Sequence, residues 1–122
     1  MIDRARIAEL WASEQARFAG ENPKSEEAAR DRAFGWHQGV PFHWRRDWPP
    51  PFPLAAAHAH GAKLTTVDGH VLDDFCLGDT AAMFGHSPEA LSHALAIQAA
   101  QGLSTMLPSD KTAEVGALLA AR

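Results

Sequence analysis

The stretch KLTTVDGHVLDDF, residues 63–75, decides the fold of this chain. Asp68-Gly69 is a strong hairpin signal, because the favoured two-residue turns need positive φ, which glycine and aspartate tolerate. The flanking segments are rich in β-branched and apolar residues, so they predict two paired strands over 63–67 and 70–75. An earlier strand over 54–59 completes a predicted three-stranded antiparallel meander.

Helix signals lie on both sides of this meander. Apolar spacing predicts a first helix over residues 3–18, and Asn22-Pro23 predicts the cap and start of a second helix that runs to about Phe34. Ser87-Pro88-Glu89 predicts a third helix with serine as its N-cap, and Ser109-Asp110 predicts the start of a fourth. The third helix is expected to bury an apolar stripe, formed by Leu91, Ala94, Leu95 and Ala99. The fourth runs to Arg122 without a stop signal, so the chain is expected to be truncated.

The segment between the second helix and the meander is rich in proline and tryptophan. Five prolines between Gly35 and Pro53 exclude a helix or a central strand. Three tryptophans argue against a solvated linker, since such a linker would leave large apolar rings in water. We therefore expect an extended loop that lies against a surface.

Composition narrows the class of protein. The chain has 122 residues, a net charge of −4 and one cysteine. No basic stripe is present to bind nucleic acid, and no apolar run is long enough to cross a membrane. The N-terminus carries no secretory signal, and one cysteine excludes an internal disulfide. The sequence therefore predicts a cytoplasmic protein with no nucleic-acid or membrane partner.

Several residues could carry chemistry, and their spacing leaves the interpretation open. Seven histidines suggest metal binding, but no standard ligand spacing is present, so exposed strand and turn residues are favoured and no metal site is predicted. Cys76 with His86 as base could be a nucleophile, although a lone cysteine is more often a core residue. Asp79 and Thr80 follow a strand, where either a simple turn or a functional loop is expected. Arg45 and Arg46 lie between Trp44 and Trp48, where an arginine either binds a carboxylate or phosphate or stacks on a neighbouring indole.

From Pro51 onward the sequence resembles the class III aminotransferases, which are fold type I pyridoxal-phosphate enzymes that include glutamate-1-semialdehyde aminotransferase. Residues 51–70 resemble the entry segment of that family, which ends in an Asp-Gly turn. Asp74-Phe75 resembles the family's D-F or D-Y pair, and Gly85-His86-Ser87-Pro88 resembles its G-H-x-H-P helix start. The order of these short motifs along the chain makes the match specific.

The resemblance implies an α+β fold that is an incomplete domain of a fold type I transferase. It divides the chain into an N-terminal helical segment at 1–38, a tryptophan- and proline-rich loop on the substrate side at 39–53, and the start of the aminotransferase domain at 54–122. That last segment would hold the meander and two helices, and it would stop before the residues that bind the cofactor.

The resemblance also implies an activity for the full-length protein. That activity is amino-group transfer between an amino acid or amine and a keto acid, or aminomutase chemistry, with pyridoxal 5′-phosphate as cofactor and a homodimer as the assembly. The Schiff-base lysine would lie beyond Arg122, so the chain alone would hold no catalytic residue and be inactive. The implied substrate-binding residues are Trp44, Arg45, Asp79 and Thr80.

Departures from the family pattern leave the substrate open. Asp79 stands where many relatives carry an aromatic residue, and Ser87 stands where histidine is common. Trp44 falls in the loop where some β-amino-acid aminotransferases carry a carboxylate-binding arginine. The alternative interpretation is a small non-enzymatic module that binds a metal through its histidines or binds another protein.

Overall fold

Four helices and one three-stranded sheet make up the part of the chain that the structure describes, which is residues 2–32, 35–36, 47–79 and 81–122. The structure is a computed structural model, and it divides into two compact units at residues 1–86 and 87–122. No helix in the described ranges is long and apolar enough to cross a membrane.

The first unit contains two helices followed by the meander. Helix α1 spans Arg4–Glu21 and α2 spans Pro23–Arg32. Strands β1 (Ala56–His60), β2 (Lys63–Thr66) and β3 (Val71–Asp73) form one antiparallel sheet in the order β1-β2-β3. The predicted helices and meander are confirmed, with α1 longer at its C-terminal end than expected.

A turn at Asp68-Gly69 joins β2 to β3 as predicted, but the connection has four residues, 67–70, and of the pair only Gly69 has a positive φ. Gly69 has a φ of 94°, a region that glycine reaches without steric cost. The backbone N–H of Thr66 donates to the His70 carbonyl at 2.9 Å, and the Gly69 N–H donates to the Thr66 carbonyl at 3.0 Å. Because the turn closes in this way, the side chain of Asp68 is held at a fixed position beside the helices.

Asp68 ties the helix pair to the meander. Its carboxylate accepts hydrogen bonds from the backbone N–H groups of Lys24 at 2.8 Å and Ser25 at 3.1 Å, and from the Ser25 hydroxyl. The Ser25 hydroxyl oxygen in turn accepts from the Ala55 N–H at 3.1 Å. A carboxylate at a helix N-terminus satisfies unpaired N–H groups and interacts well with the helix dipole. The N-terminus of α2 is thus capped by a side chain from a turn that lies 44 residues further along the chain.

This arrangement corrects the predicted role of Asn22. Asn22 precedes α2, and its carbonyl accepts from the Glu26 N–H at 3.0 Å. Its side chain makes no capping bond: the amide nitrogen donates to the Phe18 carbonyl at 2.8 Å, and the amide oxygen is buried without a partner among the described residues. The capping prediction for this side chain is wrong because Asp68 occupies the donors that it would have bound.

Replacing Asp68 with asparagine is expected to loosen the start of α2. Burial raises the pKa of Asp68, but hydrogen bonds from Ser25 and Lys24 outweigh it, so the pKa lies below the ordinary value of 3.8. The stabilisation is therefore complete above that value and is lost as the pH falls through the lower folded-state pKa. Hydrogen exchange at the Lys24 and Ser25 amides of the full-length protein should be faster in Asp68→Asn at neutral pH. The exposed Asp73→Asn is the matched control, and equal protection in Asp68→Asn would contradict this account.

The described part of the proline-rich loop lies against α1. The Gln15 side-chain amide donates to the Pro49 carbonyl at 3.0 Å, and the rings of Phe18 and Phe52 lie 5.2 Å apart at 53°. A tilted aromatic pair of this kind is a favourable contact. The expectation that the loop contacts a surface is confirmed at Pro49 and Phe52, but Trp36 and Trp48 are 55% and 54% exposed, so the rings on which it was based are not covered within this segment. Residues 37–46 lie outside the described part.

The second unit holds helices α3 (Glu89–Ala99) and α4 (Thr112–Ala120). Pro88 rather than Ser87 takes the N-cap position of α3 and makes no side-chain cap bond, and Ser87 has a φ of 53°. Helix α4 begins after Lys111, later than Ser109-Asp110 predicted. Neither helix has a buried residue, so the predicted burial of the α3 stripe is wrong for this chain.

Candidate functional site

The predicted substrate-binding residues fall mostly outside the described part of the chain. Trp44, Arg45 and Thr80 lie there, so the structure describes Asp79 alone of the four. Asp79 is exposed and has a φ of 55°, and its N–H donates to the Cys76 carbonyl at 3.1 Å. Its carboxylate is therefore presented to solvent from a tight turn in the loop that follows β3.

The two ends of that loop are fastened to each other. His86 Nε2 lies 2.6 Å from Asp74 Oδ2, and the two side chains are 20% and 12% exposed. The sequence did not predict this contact, which we name the Asp74–His86 clasp. Its signal is present in retrospect, because the D-F and G-H motifs that carry the family resemblance contribute one residue each.

The clasp is anchored on the turn between β1 and β2. Gly61 and His86 exchange two backbone hydrogen bonds, at 2.9 and 2.8 Å. The Asp74 N–H donates to the Ala62 carbonyl at 2.9 Å. Both ends of the loop are thus joined by hydrogen bonds to the β1–β2 turn, which fixes where the loop begins and where it ends.

The carboxylate of Asp74 binds three donors. One oxygen faces His86, and the other accepts from the N–H groups of Cys76 and Leu77, each at 2.9 Å. The hydrogen bond with His86, followed by those from Leu77 and Cys76, lowers the pKa of Asp74 below its ordinary value of 3.8. Asp74 is therefore ionised at neutral pH, and its bonds are charge-assisted and stronger than neutral ones.

Gly85 is required beside the clasp, for reasons of space and of backbone conformation. Its φ is 86°, and a Cβ at this position would lie 3.2 Å from Gly61 Cα and 3.3 Å from the Gly61 carbonyl oxygen. The glycine of the Gly-His motif therefore lets the end of the loop approach the β1–β2 turn closely enough to form the Gly61–His86 bonds.

Gly85→Ala is expected to lower the free energy of unfolding of the full-length protein by about 1–3 kcal/mol, through left-handed backbone strain and the contact with Gly61. Gly20→Ala is the matched control, because Gly20 lies in α1 with nothing within 4 Å of an added Cβ. That control should be neutral or stabilising by about 0.5–1 kcal/mol. Denaturant unfolding checks both values, and equal effects would show that the close approach at Gly85 is unimportant.

The other candidates for chemistry do not come together in a site. Within the described residues, no group of three His, Cys, Asp or Glu side chains is placed to hold a metal ion. Cys76 is exposed, so the expectation of a core cysteine is wrong. The ring of His86 faces Asp74, which makes the clasp, and not a Cys76–His86 pair, the arrangement that the structure supports.

A cavity of about 370 Å³ lies in the first unit between the helices and the meander. The His70 Nε2 atom is within hydrogen-bonding distance of the Glu21 carbonyl oxygen, at 3.0 Å. The described residues of its lining are mainly apolar and include no lysine or arginine that could bind a phosphate or form an imine; they are Phe18, Glu21, Asn22, Leu54, His70, Val71 and Leu72.

Comparison with known proteins finds aminomutases and transaminases. A glutamate-1-semialdehyde aminomutase from Pseudomonas aeruginosa PAO1 superposes on 99% of this chain and 27% of its own, with a TM-score of 0.87 and 42% identity. Its K286A variant has the same likeness and is in complex with PMP. The β-phenylalanine transaminase of Variovorax paradoxus is 35% identical over 105 residues, which is 83% of this chain and 23% of the relative. No family model matches the sequence.

This chain covers a similar share of each relative. The glutamate-1-semialdehyde 2,1-aminomutase of Gemmatimonas aurantiaca aligns over the whole of this chain, at 29% identity, and over 24% of its own length. These relatives match most of this chain, and the chain spans about a quarter of the length of each of them.

Proposed function

This chain is a homologue of a segment of the class III pyridoxal-phosphate-dependent aminotransferases, and we propose that it is the N-terminal segment of an enzyme that transfers an amino group. The reaction would run between an amino acid or amine and a keto acid, or within one molecule as in an aminomutase. The observation that carries the proposal is the likeness to the Pseudomonas aminomutase in fold and sequence over nearly the whole chain. A metal-binding or interaction module is not favoured by any of the relatives.

The described residues do not themselves form a cofactor site. The ammonium group of Lys63 is paired with Asp73 across β2 and β3, and that of Lys111 lies 3.7 Å from Glu114, in both cases on the surface. Lys24 is also exposed, and the described part of the cavity lining has no basic side chain other than a histidine. We therefore assign pyridoxal phosphate to the full-length protein and not to the residues of this segment.

The role of this segment would be to shape the substrate side of the site. We propose the division already drawn from the sequence, with helices at 1–38, the tryptophan- and proline-rich loop at 39–53 and the start of the catalytic domain at 54–122. Trp44 and Arg45 on that loop, and Asp79 and Thr80 on the loop after β3, would contact the substrate. A homodimer in the cytoplasm is proposed as the working form.

An amino-transfer assay on the full-length protein tests the proposed function. Purified protein supplied with pyridoxal phosphate is incubated with a panel of α-amino acids, β-amino acids and amines, each with a keto acid acceptor. We expect a keto product from at least one donor, and isomerisation of glutamate 1-semialdehyde without a second substrate if the enzyme is an aminomutase. Folded protein that transfers no amino group from any donor, and isomerises nothing, would contradict the proposal.

A further inference from the structure

The loop between Asp74 and His86 is described at residues 75–79 and 81–85, and it carries three exposed apolar side chains. Phe75 is 96% exposed, Phe84 is 91% exposed and Met83 is 72% exposed. These side chains add little burial within this segment, so the contacts that the segment itself supplies to hold the loop are hydrogen bonds.

Those hydrogen bonds form a series of turns that starts at the clasp. Asp74 accepts from the N–H groups of Cys76 and Leu77, and the Leu77 carbonyl accepts from the Ala82 N–H at 2.9 Å. The Ala82 carbonyl then accepts from the Gly85 N–H at 2.8 Å, next to His86. The path begins at Asp74 and ends next to His86. Loss of the clasp would therefore free the Asp74 carboxylate, and with it the first turn of the loop, while the backbone bonds to Gly61 and Ala62 still hold the two ends.

The conformations along this path are ones that side chains adopt only when the surroundings hold them. Leu77 and Asp79 have φ values of 50° and 55°, on either side of Gly78 at 66°. Residues other than glycine are uncommon in this region and cost energy there. A loop held in this way has one defined shape while its hydrogen bonds are intact and relaxes when they are lost.

We propose that the Asp74–His86 clasp is a pair of positioning residues that fixes where the loop presents Asp79 to the substrate. The inference rests on the proposed function, since it assigns to the loop a part in substrate binding. Neither clasp residue touches the substrate; both act through the loop. Displacement of a positioned group by about 1 Å can cost on the order of 10²-fold in rate, so a released loop would weaken substrate binding and orientation measurably.

The test compares variants of the full-length enzyme that remove, replace or spare the clasp. His86→Ala removes the donor, and His86→Gln offers an amide N–H that can reach Asp74. Asp73→Ala is the matched control, because it removes an exposed carboxylate next to the clasp. For His86→Ala we expect the KM for the amino donor to rise by about 10- to 100-fold, and amide exchange in the loop peptide to be about tenfold faster or more. His86→Gln should restore most of both, and Asp73→Ala should change neither.

A double variant separates positioning by the pair from two unrelated effects. If His86 acts only through Asp74, Asp74→Ala combined with His86→Ala should raise KM no further than Asp74→Ala alone. Additive effects, an unchanged KM in His86→Ala, or failure of His86→Gln to restore KM would each overturn the proposal. If His86→Ala does not fold, Asp74→Asn takes its place, since it keeps an acceptor for the Cys76 and Leu77 amides but loses the charge; an unchanged KM in that variant would also overturn it.

The proposed function and the positioning role of the clasp can be contradicted separately. A full-length protein that transfers no amino group would contradict the proposed function and with it the positioning role, even if amide exchange in the loop becomes faster in His86→Ala. An active enzyme whose KM and loop exchange are both insensitive to His86→Ala leaves the proposed function standing and removes the clasp from it.

Discussion

Produced on its own, the 122-residue chain is expected to be partly unfolded or self-associated. Helices α3 and α4 have no buried residue, and Ala55 is the one buried hydrophobic residue among those described. Burying a large apolar side chain contributes about 1.5–3 kcal/mol, whereas ordering each residue costs about 1–2 kcal/mol in backbone entropy. With so little apolar burial, the entropy of ordering is not offset within this chain.

Light scattering and tryptophan emission check this prediction. Trp11, Trp36 and Trp48 are each more than half exposed, so the emission of the isolated chain should be red-shifted and its amides weakly protected. The full-length protein is the control, in which further chain is expected to cover the apolar residues of α3 and α4. A monomer with blue-shifted emission and a sharp two-state unfolding transition would show that the segment folds autonomously.

The second large effect concerns the cofactor. Mixed with pyridoxal phosphate, the isolated chain is expected to bind no stoichiometric equivalent through a lysine. Lys63 and Lys111 lie on the surface in ion pairs, Lys24 is exposed, and the described lining of the cavity beside Phe18 and His70 includes no lysine. An amine that forms a stable imine in an enzyme needs a desolvated or otherwise activated site. The visible absorption of the mixture should therefore be that of weak, nonspecific reaction with surface amines.

Substitution of single lysines tests this prediction. Lys24→Ala, Lys63→Ala and Lys111→Ala should each leave the absorption of the mixture nearly unchanged, because no one lysine dominates. The full-length protein should instead show a stoichiometric band that a single lysine substitution outside this segment abolishes. A one-to-one band in the isolated chain that disappears with one of its own lysines would contradict the proposal that the cofactor lysine lies elsewhere.

Local sequence signals predicted most of the elements. The Asp68-Gly69 turn, the proline after Asn22 and the apolar spacing before residue 18 each act over a few residues, and the structure confirms the elements that they predict. The same signals misplaced the caps of α2 and α3. Ser87 has the side chain of a good N-cap but a left-handed backbone, and the cap position of α3 goes to Pro88.

Contacts between distant residues could not be predicted in this way. The cap of α2 comes from Asp68, and the partner of Asp74 is His86; both depend on how the chain folds back. Asp68 was recognised as a turn residue and His86 as part of a motif, yet neither pattern says which donor or acceptor the side chain meets. Of the predicted site residues, Trp44, Arg45 and Thr80 lie outside the described part, so their substrate roles remain predictions.

Exchange of the segment between two enzymes tests whether this chain is the counterpart of the same segment in an aminomutase. The counterpart of this chain in the Pseudomonas aeruginosa aminomutase, 27% of that protein, is replaced by these 122 residues, and the aminomutase activity of the chimaera is measured. If the chain is the corresponding segment of such an enzyme, the chimaera should fold and retain measurable activity that falls further when His86→Ala is introduced. A chimaera that folds, binds the cofactor and has no activity above background would contradict the account.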